Sequence, residues 1–326
     1  MAHSSSLVSV IVASYNKKEL LRSCLVSVYA QSYSPLEVFV IDNASSDATA
    51  EMVRCDFPSA HLIVNERNDY FSAAYNRGIR LCRGPFVLCL NNDIVLERCA
   101  LERLMEKTAF DSCVGMWGGK MLRPDKKTID STGLFLGKNR KPLERGYNQF
   151  DHGQYEIDGY VFGINGAAIL CRREMLDDIA VDGEYFDEDF KIFCEDLDLC
   201  WRAHRFGWRA YYVSKTLIFH ARGASARREI QVPRLLKKFY FPQLPRELQV
   251  HMVKNRYGAI IKNDSPGALL GDCLFIFAYE MALWGFLLLC VPKTAAALFR
   301  SGEFFKKTFK KRKIISAVLK TKKAGE

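Results

Sequence analysis

Residues 7–13 (LVSVIVA) are almost continuously apolar and stop abruptly at Ser14-Tyr15-Asn16. A strand with one wet face alternates apolar and polar residues; a run like this has to be covered on both faces. Residues 38–41 run into Asp42-Asn43, and residues 86–90 run into Asn91-Asn92-Asp93. A shorter run occupies 61–64. Between these runs, 18–31, 47–54 and 71–82 read as helices; the first carries Leu21, Cys24, Leu25 and Val28 at helical spacing. Residues 96–107 read as a further helix. This strand–helix alternation predicts an α/β fold, a doubly wound and mainly parallel sheet.

Later segments are less regular. Residues 118–160 are rich in Gly, Lys, Asp and Asn and read as a loop or hairpin excursion, with 129–136 as its strand candidate. Residues 160–171 are small and apolar. Residues 195–206 form a strong helical pattern stopped by Gly207, and 208–213 and 217–219 read as late strands. Past residue 221 the character changes: 227–240 is basic and aromatic, 251–261 amphipathic, 269–291 very apolar and 300–323 basic. The expected division is a catalytic domain over 1–222 and a basic, apolar helical region over 223–326.

Charge follows the same division. The chain carries 47 Lys/Arg against 37 Asp/Glu, a net +10. Residues 223–326 hold 20 basic and 7 acidic residues; residues 1–222 hold 27 and 30. A surplus confined to the last third points to an anionic partner there, not at the sheet. The eleven cysteines form no CxxC pair and several lie in apolar runs, as expected of reduced, buried thiols in a cytosolic protein; a zinc site is not expected. The N-terminus lacks a basic segment before its short apolar run, so it reads as a first strand and not as a signal peptide.

Open parallel sheets bind ligands beyond the carboxyl ends of their strands. Three polar clusters stand at such ends: Ser14-Tyr15-Asn16, Asp42-Asn43 and Asn91-Asn92-Asp93. No GxGxxG follows the first strand, and there is no GxxxxGK[ST]. A nucleotide held without a glycine-rich cradle needs its phosphates neutralised by a hard cation, Mg²⁺ or Mn²⁺, and Asp93 is the carboxylate placed for it. An Asp after a strand is commonly a turn or cap residue, but three clusters at three strand ends point to a site. A second constellation is Glu195-Asp196-Leu197-Asp198 with Arg202. Carboxylates at a helix start are stabilised in their charged form, and one could serve as a general base. Asp198 and Arg202, at i,i+4 spacing, read as a structural ion pair; spacing alone leaves the role of Asp196 open. His220, after the apolar run 217–219, is a further ligand candidate.

Taken together, VSVIVASYNKKELLRSCLVSVYAQSY, FVIDNASSDAT, NERNDYFSAAYNRGI, LNNDIVL, GAAILCRREM, YFDEDFKIFCEDLDLCWRAHRFGW and IFHARGAS resemble, in order and spacing, the family-2 glycosyltransferases of the GT-A fold, over roughly residues 7–262. The LNNDxxL and EDxDLxxR pieces with the basic-aromatic C-terminus are similar to the subset of bacterial rhamnosyltransferases that build surface polysaccharides. The resemblance implies that Asp42 contacts the base or ribose of a nucleoside diphosphate sugar. Ser14 and Asn16 would line the nucleotide cleft, and Asn76 and Gly78 would match an Asn-x-Gly whose helix faces the nucleotide. Asn91-Asn92-Asp93 would stand for the Asp-x-Asp motif, with Asp93 on the metal and Asn91 a weaker contact. His220 would add a metal or diphosphate ligand, and Asp196 would be the catalytic base of a single, inverting displacement. Two departures stand out: Asn91 replaces the first acid of Asp-x-Asp, and Tyr70 stands where many relatives have Gly. The donor the subset implies is dTDP-L-rhamnose, with UDP-hexoses and other dTDP-deoxysugars as alternatives.

Residues 269–291 are long enough to span a bilayer, but Asp272 and Glu280 lie within them, and such acids are costly in lipid. The expectation is a helix or helix pair lying at the interface, anchored by Phe275, Phe277, Tyr279, Trp284 and Phe286. The tail 300–326, with 10 basic and 2 acidic residues, would add attraction to anionic lipid. The partners expected are therefore a nucleotide-sugar donor, a lipid-linked or cell-surface glycan acceptor and the anionic inner face of the cell membrane. Two rival readings have less to rest on. A nucleotidyltransferase would want a glycine-bearing basic loop after the first strand, and ASYNKKE has no glycine. A nucleic-acid-binding protein would interleave its basic residues with stacking aromatics, and no known motif of that kind is present.

Overall fold

The computed structural model describes residues 6–222 and 241–325. Strand β1 (Val8–Ser14) is buried along its whole length and lies parallel to β2 (Leu36–Asp42) on one side. Strand β3 (His61–Val64) extends the sheet beyond β2, and β4 (Phe86–Asn91) pairs with the other edge of β1, again in parallel. The helices α1 (Lys18–Tyr29), α2 (Thr49–Asp56) and α3 (Tyr70–Leu81) connect them. Pleating sends Val8, Val10 and Val12 into a core with Leu21, Leu25 and Val28 of α1, and Ile11 and Ala13 into a second core with Ala74, Tyr75 and Ile79 of α3. This two-sided burial is why β1 shows no polar alternation.

The segment 96–107 is not one helix. Ile94–Leu96 forms strand β5, and α4 runs only over Ala100–Glu106. Residues 118–122, expected in a loop, belong to the long strand β6 (Val114–Leu122). Its glycines misled the sequence reading. A Cβ on Gly118 would strike Ile164, and one on Gly119 would strike the Thr216 backbone, so these glycines mark close approach and not a turn. The stretch 129–136 divides into β7 (Ile129–Ser131) and β8 (Leu134–Leu136) around Gly133, whose φ is +123°. Strand β9 (Pro142–Glu144) pairs with β8 to make a hairpin. Strands β10 (Gly159–Val161) and β11 (Ala168–Arg172) follow, then α5 (Arg173–Ile179) and α6 (Glu195–Arg205), which ends at Gly207 with φ +88°. The two late strands are one, β12 (Arg209–His220), with a register shift between Val213 and Leu217. The sheet order is β10-β12-β6-β11-β4-β1-β2-β3, with β5 on β12 and β7 on β6. It is a mixed, mostly parallel sheet of GT-A type with a C-terminal helical region.

That region comprises α7 (Arg246–Asn263), α8 (Pro266–Gly271), α9 (Cys273–Cys290), α10 (Pro292–Phe299) and α11 (Gly302–Gly325). The basic segment 227–240 lies outside the described residues. The apolar stretch 269–291 breaks at Asp272. Asp272 accepts a bond from Arg140 (2.7 Å) and Glu280 one from Arg256 (2.6 Å), so both acids face protein. The expected anchors divide. Phe275 and Phe277 are exposed, whereas Trp284 donates to the Tyr257 hydroxyl and packs on Phe299, and Phe286 packs on Phe241. Helix α9 is long and apolar enough to cross a membrane, with mean hydropathy 2.0, and only 6% of it is buried.

Part of the basic tail is engaged within the protein. In α11, Lys307 pairs with Asp189, Lys310 with Asp182, Lys322 with Asp178, and Lys311 with Glu184, Asp187 and Asp189. These acids belong to the first two thirds of the chain. The charge division visible in the sequence is thus partly an internal attraction between two parts of one molecule. All eleven cysteines are free.

Candidate active site

The carboxyl ends of β1, β2 and β4 lie side by side because the strands run parallel in register, Ser14 opposite Asp42 and Ala13 opposite Asn91. Ser14 is buried, and its hydroxyl accepts from the Asn92 side chain at 3.0 Å. Asn16 takes φ +49°, and its side-chain Oδ1 accepts from the Ser46 backbone amide at 2.7 Å. Asp42 is fully buried; one oxygen accepts from the Ser45 hydroxyl and amide, and the other has no hydrogen-bond partner among the described residues. Burial pushes its carboxyl up, against the pull of Ser45. An orphaned oxygen at a strand end is a place where a ligand donor would be welcome.

Two expected nucleotide contacts are elsewhere. Asn76 is fully buried; its oxygen accepts from the Tyr185 and Phe186 amides, and its nitrogen donates to Phe186 O and Glu188. It anchors the 185–188 segment. Gly78 is buried against β1, where a Cβ would sit 2.6 Å from Ile11 Cγ2. It serves packing of α3 on the sheet. Tyr70 has φ +63°, a conformation that favours glycine; its hydroxyl donates to Glu247 of α7 at 3.4 Å.

Asn91 closes β4. Its side-chain oxygen accepts from the Tyr75 hydroxyl at 2.8 Å, so it is committed to the protein. Asp93 sits in the turn into β5, 6% exposed, 3.4 Å from His220 Nε2 at the end of β12. His220 Nδ1 donates to Asp130 of β7 at 2.8 Å, and Arg222 pairs with the same carboxylate. Burial lowers the pKa of His220, but Asp130 and Asp93 outweigh it and raise it to about 9. Burial likewise opposes ionisation of Asp130, yet His220 and Arg222 hold its carboxyl below the usual range. Among the described residues no three His, Cys, Asp or Glu side chains converge on one point. Asp93 and His220 still suit a divalent ion. A carboxylate oxygen meets an imidazole nitrogen whose partner nitrogen is fixed by a carboxylate, the usual support of a histidine ligand. Mg²⁺ and related ions commonly take one or two protein ligands and complete their shell with phosphate and water.

Asp196 opens α6. Its Oδ2 accepts from the Gly166 amide at 2.9 Å and its Oδ1 from the Leu197 amide at 2.7 Å. Burial raises its pKa against those bonds. Glu195 is raised as well, first by burial and then by the charge of Asp196, and its Oε2 has no partner among the described residues. Asp198 and Arg202 are fully buried and bonded at 3.3 Å; Asp198 also accepts from Lys262 and Asn263 of α7. One turn joins the two halves of the site: Ala167 O accepts from Asn91 N at 2.8 Å, while the neighbouring Gly166 holds Asp196.

Sequence reasoning missed Asp130, Glu144, Asn165, Gly166 and Arg222. Asp130 and Glu144 lie in the segment read as an excursion, and each reaches its partner across tens of residues, with no spacing to betray it.

The family model described as "Glycosyl transferase family 2" matches residues 9–180. Poly-beta-1,6-N-acetyl-D-glucosamine synthase of Staphylococcus epidermidis is 26% identical over 213 residues, covering 64% of this chain and 48% of that protein. The chain spans about half the length of the curated relatives it matches. Among solved structures, GalNAc-T7 with UDP, GalNAc and Mn²⁺ aligns with a TM-score of 0.57 at 11% identity, covering 80% of this chain and 48% of the other. The mannosyltransferase PcManGT from Pyrobaculum calidifontis, in complex with GDP-Man and Mn²⁺, gives 0.54 at 18% identity, covering 97% and 86%. At these identities the likeness is one of fold.

Proposed function

Since the chain belongs to glycosyl transferase family 2, we propose that it is an inverting glycosyltransferase of that family, moving a sugar from a nucleoside diphosphate to a hydroxyl of a lipid-linked or cell-surface glycan. The observation that carries this reading is the 165–167 turn, which ties the Asn91 strand end beside Asp93 to the Asp196 carboxylate. A diphosphate and a base are wanted on opposite sides of an anomeric carbon, and the turn fixes both walls to one element.

Asp42, with its orphaned oxygen, accepts from the base or ribose, and Ser14 and Asn16 line the same cleft. Asp93 and His220 hold one Mg²⁺ or Mn²⁺, whose charge offsets the diphosphate. Asp196 takes the proton of the acceptor hydroxyl as its oxygen attacks the anomeric carbon. The carbon–oxygen bond to the diphosphate breaks, and its electron pair stays on the phosphate oxygen. The two backbone amides on Asp196 keep the carboxylate aimed. The raised pKa makes it a better base than a solvated Asp.

L-Rhamnose from dTDP-rhamnose is the donor the sequence resemblance favours. The Staphylococcus relative is named for N-acetylglucosamine, so UDP-sugars belong in the same assay. The outward side of α9, with Leu274 at 79%, Phe277 at 66% and Leu289 at 85% exposure, supports peripheral attachment to the cytoplasmic face of the membrane.

A panel of dTDP- and UDP-sugars with Mg²⁺ or Mn²⁺, read as thermal stabilisation and donor hydrolysis, tests the activity. Asp196→Asn should lower turnover by roughly 10²–10⁴-fold while leaving donor binding intact; full activity in that variant removes Asp196 from the role. Flotation with vesicles tests attachment. Binding that survives high salt supports insertion of α9, and protein that never floats refutes it.

A further inference from the structure

The hairpin β8–β9 ends on Glu144, a largely buried carboxyl that the proposed reaction does not use. Its Oε1 accepts from the Asn165 side chain at 2.6 Å, and its Oε2 accepts from the Ser131 hydroxyl. The next residue, Gly166, donates its amide to Asp196 at 2.9 Å. Two acids from distant parts of the chain therefore hang from consecutive residues of one turn. The turn cannot drift from either. Asn165 Oδ1 accepts from Ala167 N at 2.8 Å, Ala167 O accepts from Asn91 N, and a Cβ on Gly166 would lie 2.9 Å from Asp196 Cβ. The tip of the same hairpin is fixed as well. Arg140 bonds Asp264 at 2.5 Å and Asp272 at 2.7 Å, and Arg256 donates to the carbonyls of Arg140 and Asn139. Glu144 is thus presented to the site from a braced arm.

We propose that Glu144 is a positioning residue for the reaction: joined to Asp196 through the Asn165–Gly166 turn, it fixes where that carboxylate sits. The assignment rests on the reading of Asp196 as the base.

The charges around the pair are few. Ser131, Asn165, Asp196 and Arg222 face Glu144. Asp196 is faced by Glu195 on its own helix and by the thiols of Cys194 and Cys200. Burial, followed by the charge of Asp196, raises Glu144 to about 7, against the bonds from Ser131 and Asn165 and the charge of Arg222. Asp196 is thus the member of the pair that ionises first, and as pH rises through that value Glu144 adds a second negative charge beside it.

Hydrolysis of dTDP-L-rhamnose or UDP-N-acetylglucosamine with Mn²⁺ gives one readout. Glu144→Ala, which releases Asn165 and Ser131, should lower kcat roughly 10²-fold by misplacing Asp196, with KM for the donor unchanged, and Glu144→Gln, which can still accept from Asn165, should restore most of it. Nitrogen-15 NMR gives a second readout: the Gly166 amide signal, bonded to Asp196, should shift in Glu144→Ala and keep its wild-type position in Glu144→Gln. An unmoved Gly166 signal and wild-type kcat in Glu144→Ala, in protein that melts like wild type, overturn the assignment. Absence of hydrolysis in every protein, wild type included, counts against the proposed function and leaves the Gly166 signal to decide the role of Glu144.

Discussion

At the ends of β1, β2 and β4 the polar side chains bond one another, one oxygen of Asp42 excepted, whereas the glutamates on the hairpin and on α6 lie against the charge of Asp196. Ser14 bonds Asn92, Asn16 bonds Ser46, Asp42 bonds Ser45, and Asn43 accepts from Asn65. Opposite them, burial raises the pKa values of Glu144, Glu195 and Asp196, and the charge of Asp196 raises the two glutamates further. The first wall is preorganised by mutual hydrogen bonds and suits a ligand that brings its own charge. The second wall holds protons it could exchange, as a site for proton transfer must. The difference is sustained from behind by buried lysines of the C-terminal helices.

That support is the comparison's most vulnerable point. Asp187, buried beneath α6, pairs with Lys262 of α7 and Lys311 of α11, themselves nearly inaccessible. Asp187→Ala should lower stability by about 3 kcal/mol, because it removes the carboxylate that both buried ammonium groups share and leaves Lys262 with Asp198 and Lys311 with Glu184 and Asp189. Burial opposes ionisation of Asp187, but the two lysines hold its carboxyl far below the usual range. Its contribution is therefore complete above the ordinary aspartate pKa of about 4 and fades as pH falls below that. Melting curves should show the variant's deficit shrinking on acidification. A deficit that is small at pH 7, or constant with pH, would break the claim that the two parts of the chain are locked by charge.

The next effect separates metal chemistry from framework on the nucleotide side. Asp130→Asn removes the carboxylate that fixes His220 Nδ1, while Asp93 and His220 remain. Mn²⁺ affinity, measured by calorimetry in the presence of a nucleoside diphosphate, should weaken roughly 10–100-fold. Unchanged affinity would place the ion elsewhere. Smaller again is Gly78→Ala, where the new methyl meets Ile11. It should cost about 1–3 kcal/mol of stability and leave nucleotide-sugar affinity as it was; a selective loss of affinity would return Gly78 to the binding site.

The two walls also differed in how far the sequence disclosed them. Strand ends are local features. An apolar run followed by Ser14, Asp42 or Asn91 announces its own position, and parallel pairing then brings all three together. The sheet, its order of elements and the Asp93 turn were legible for that reason. Asn76 and Gly78 were legible as a motif but not in their role, because pattern does not reveal that a side chain spends every bond inside the protein. The second wall is assembled by contacts across long stretches of chain, Asn165 with Glu144 and Gly166 with Asp196, and so is the His220–Asp130 pair beside Asp93. Nothing in their spacing encodes them. Glycines at 118 and 119 hid the central strand beside which β7 and its Asp130 lie. That four of the tail's lysines pair within the protein was hidden because their acidic partners sit more than a hundred residues away.

The smallest effect tests the repulsion itself. Glu195 is raised by burial and by the charge of Asp196, and its Oε2 makes no hydrogen bond among the described residues. The folded protein therefore binds a proton at Glu195 more tightly than the unfolded chain does. Stability must fall as pH rises from the ordinary glutamate pKa of about 4.3 through the raised value, and remain lower above it. Glu195→Gln is neutral throughout and escapes this loss. The variant should match wild type near pH 4 and exceed it at pH 8 by about 1 kcal/mol, roughly 2–4 °C in Tm. Melting curves that run parallel from pH 4 to 8 would mean that Glu195 meets no unfavourable charge, and the contrast between a satisfied wall and a strained one would rest on Glu144 and Asp196 alone.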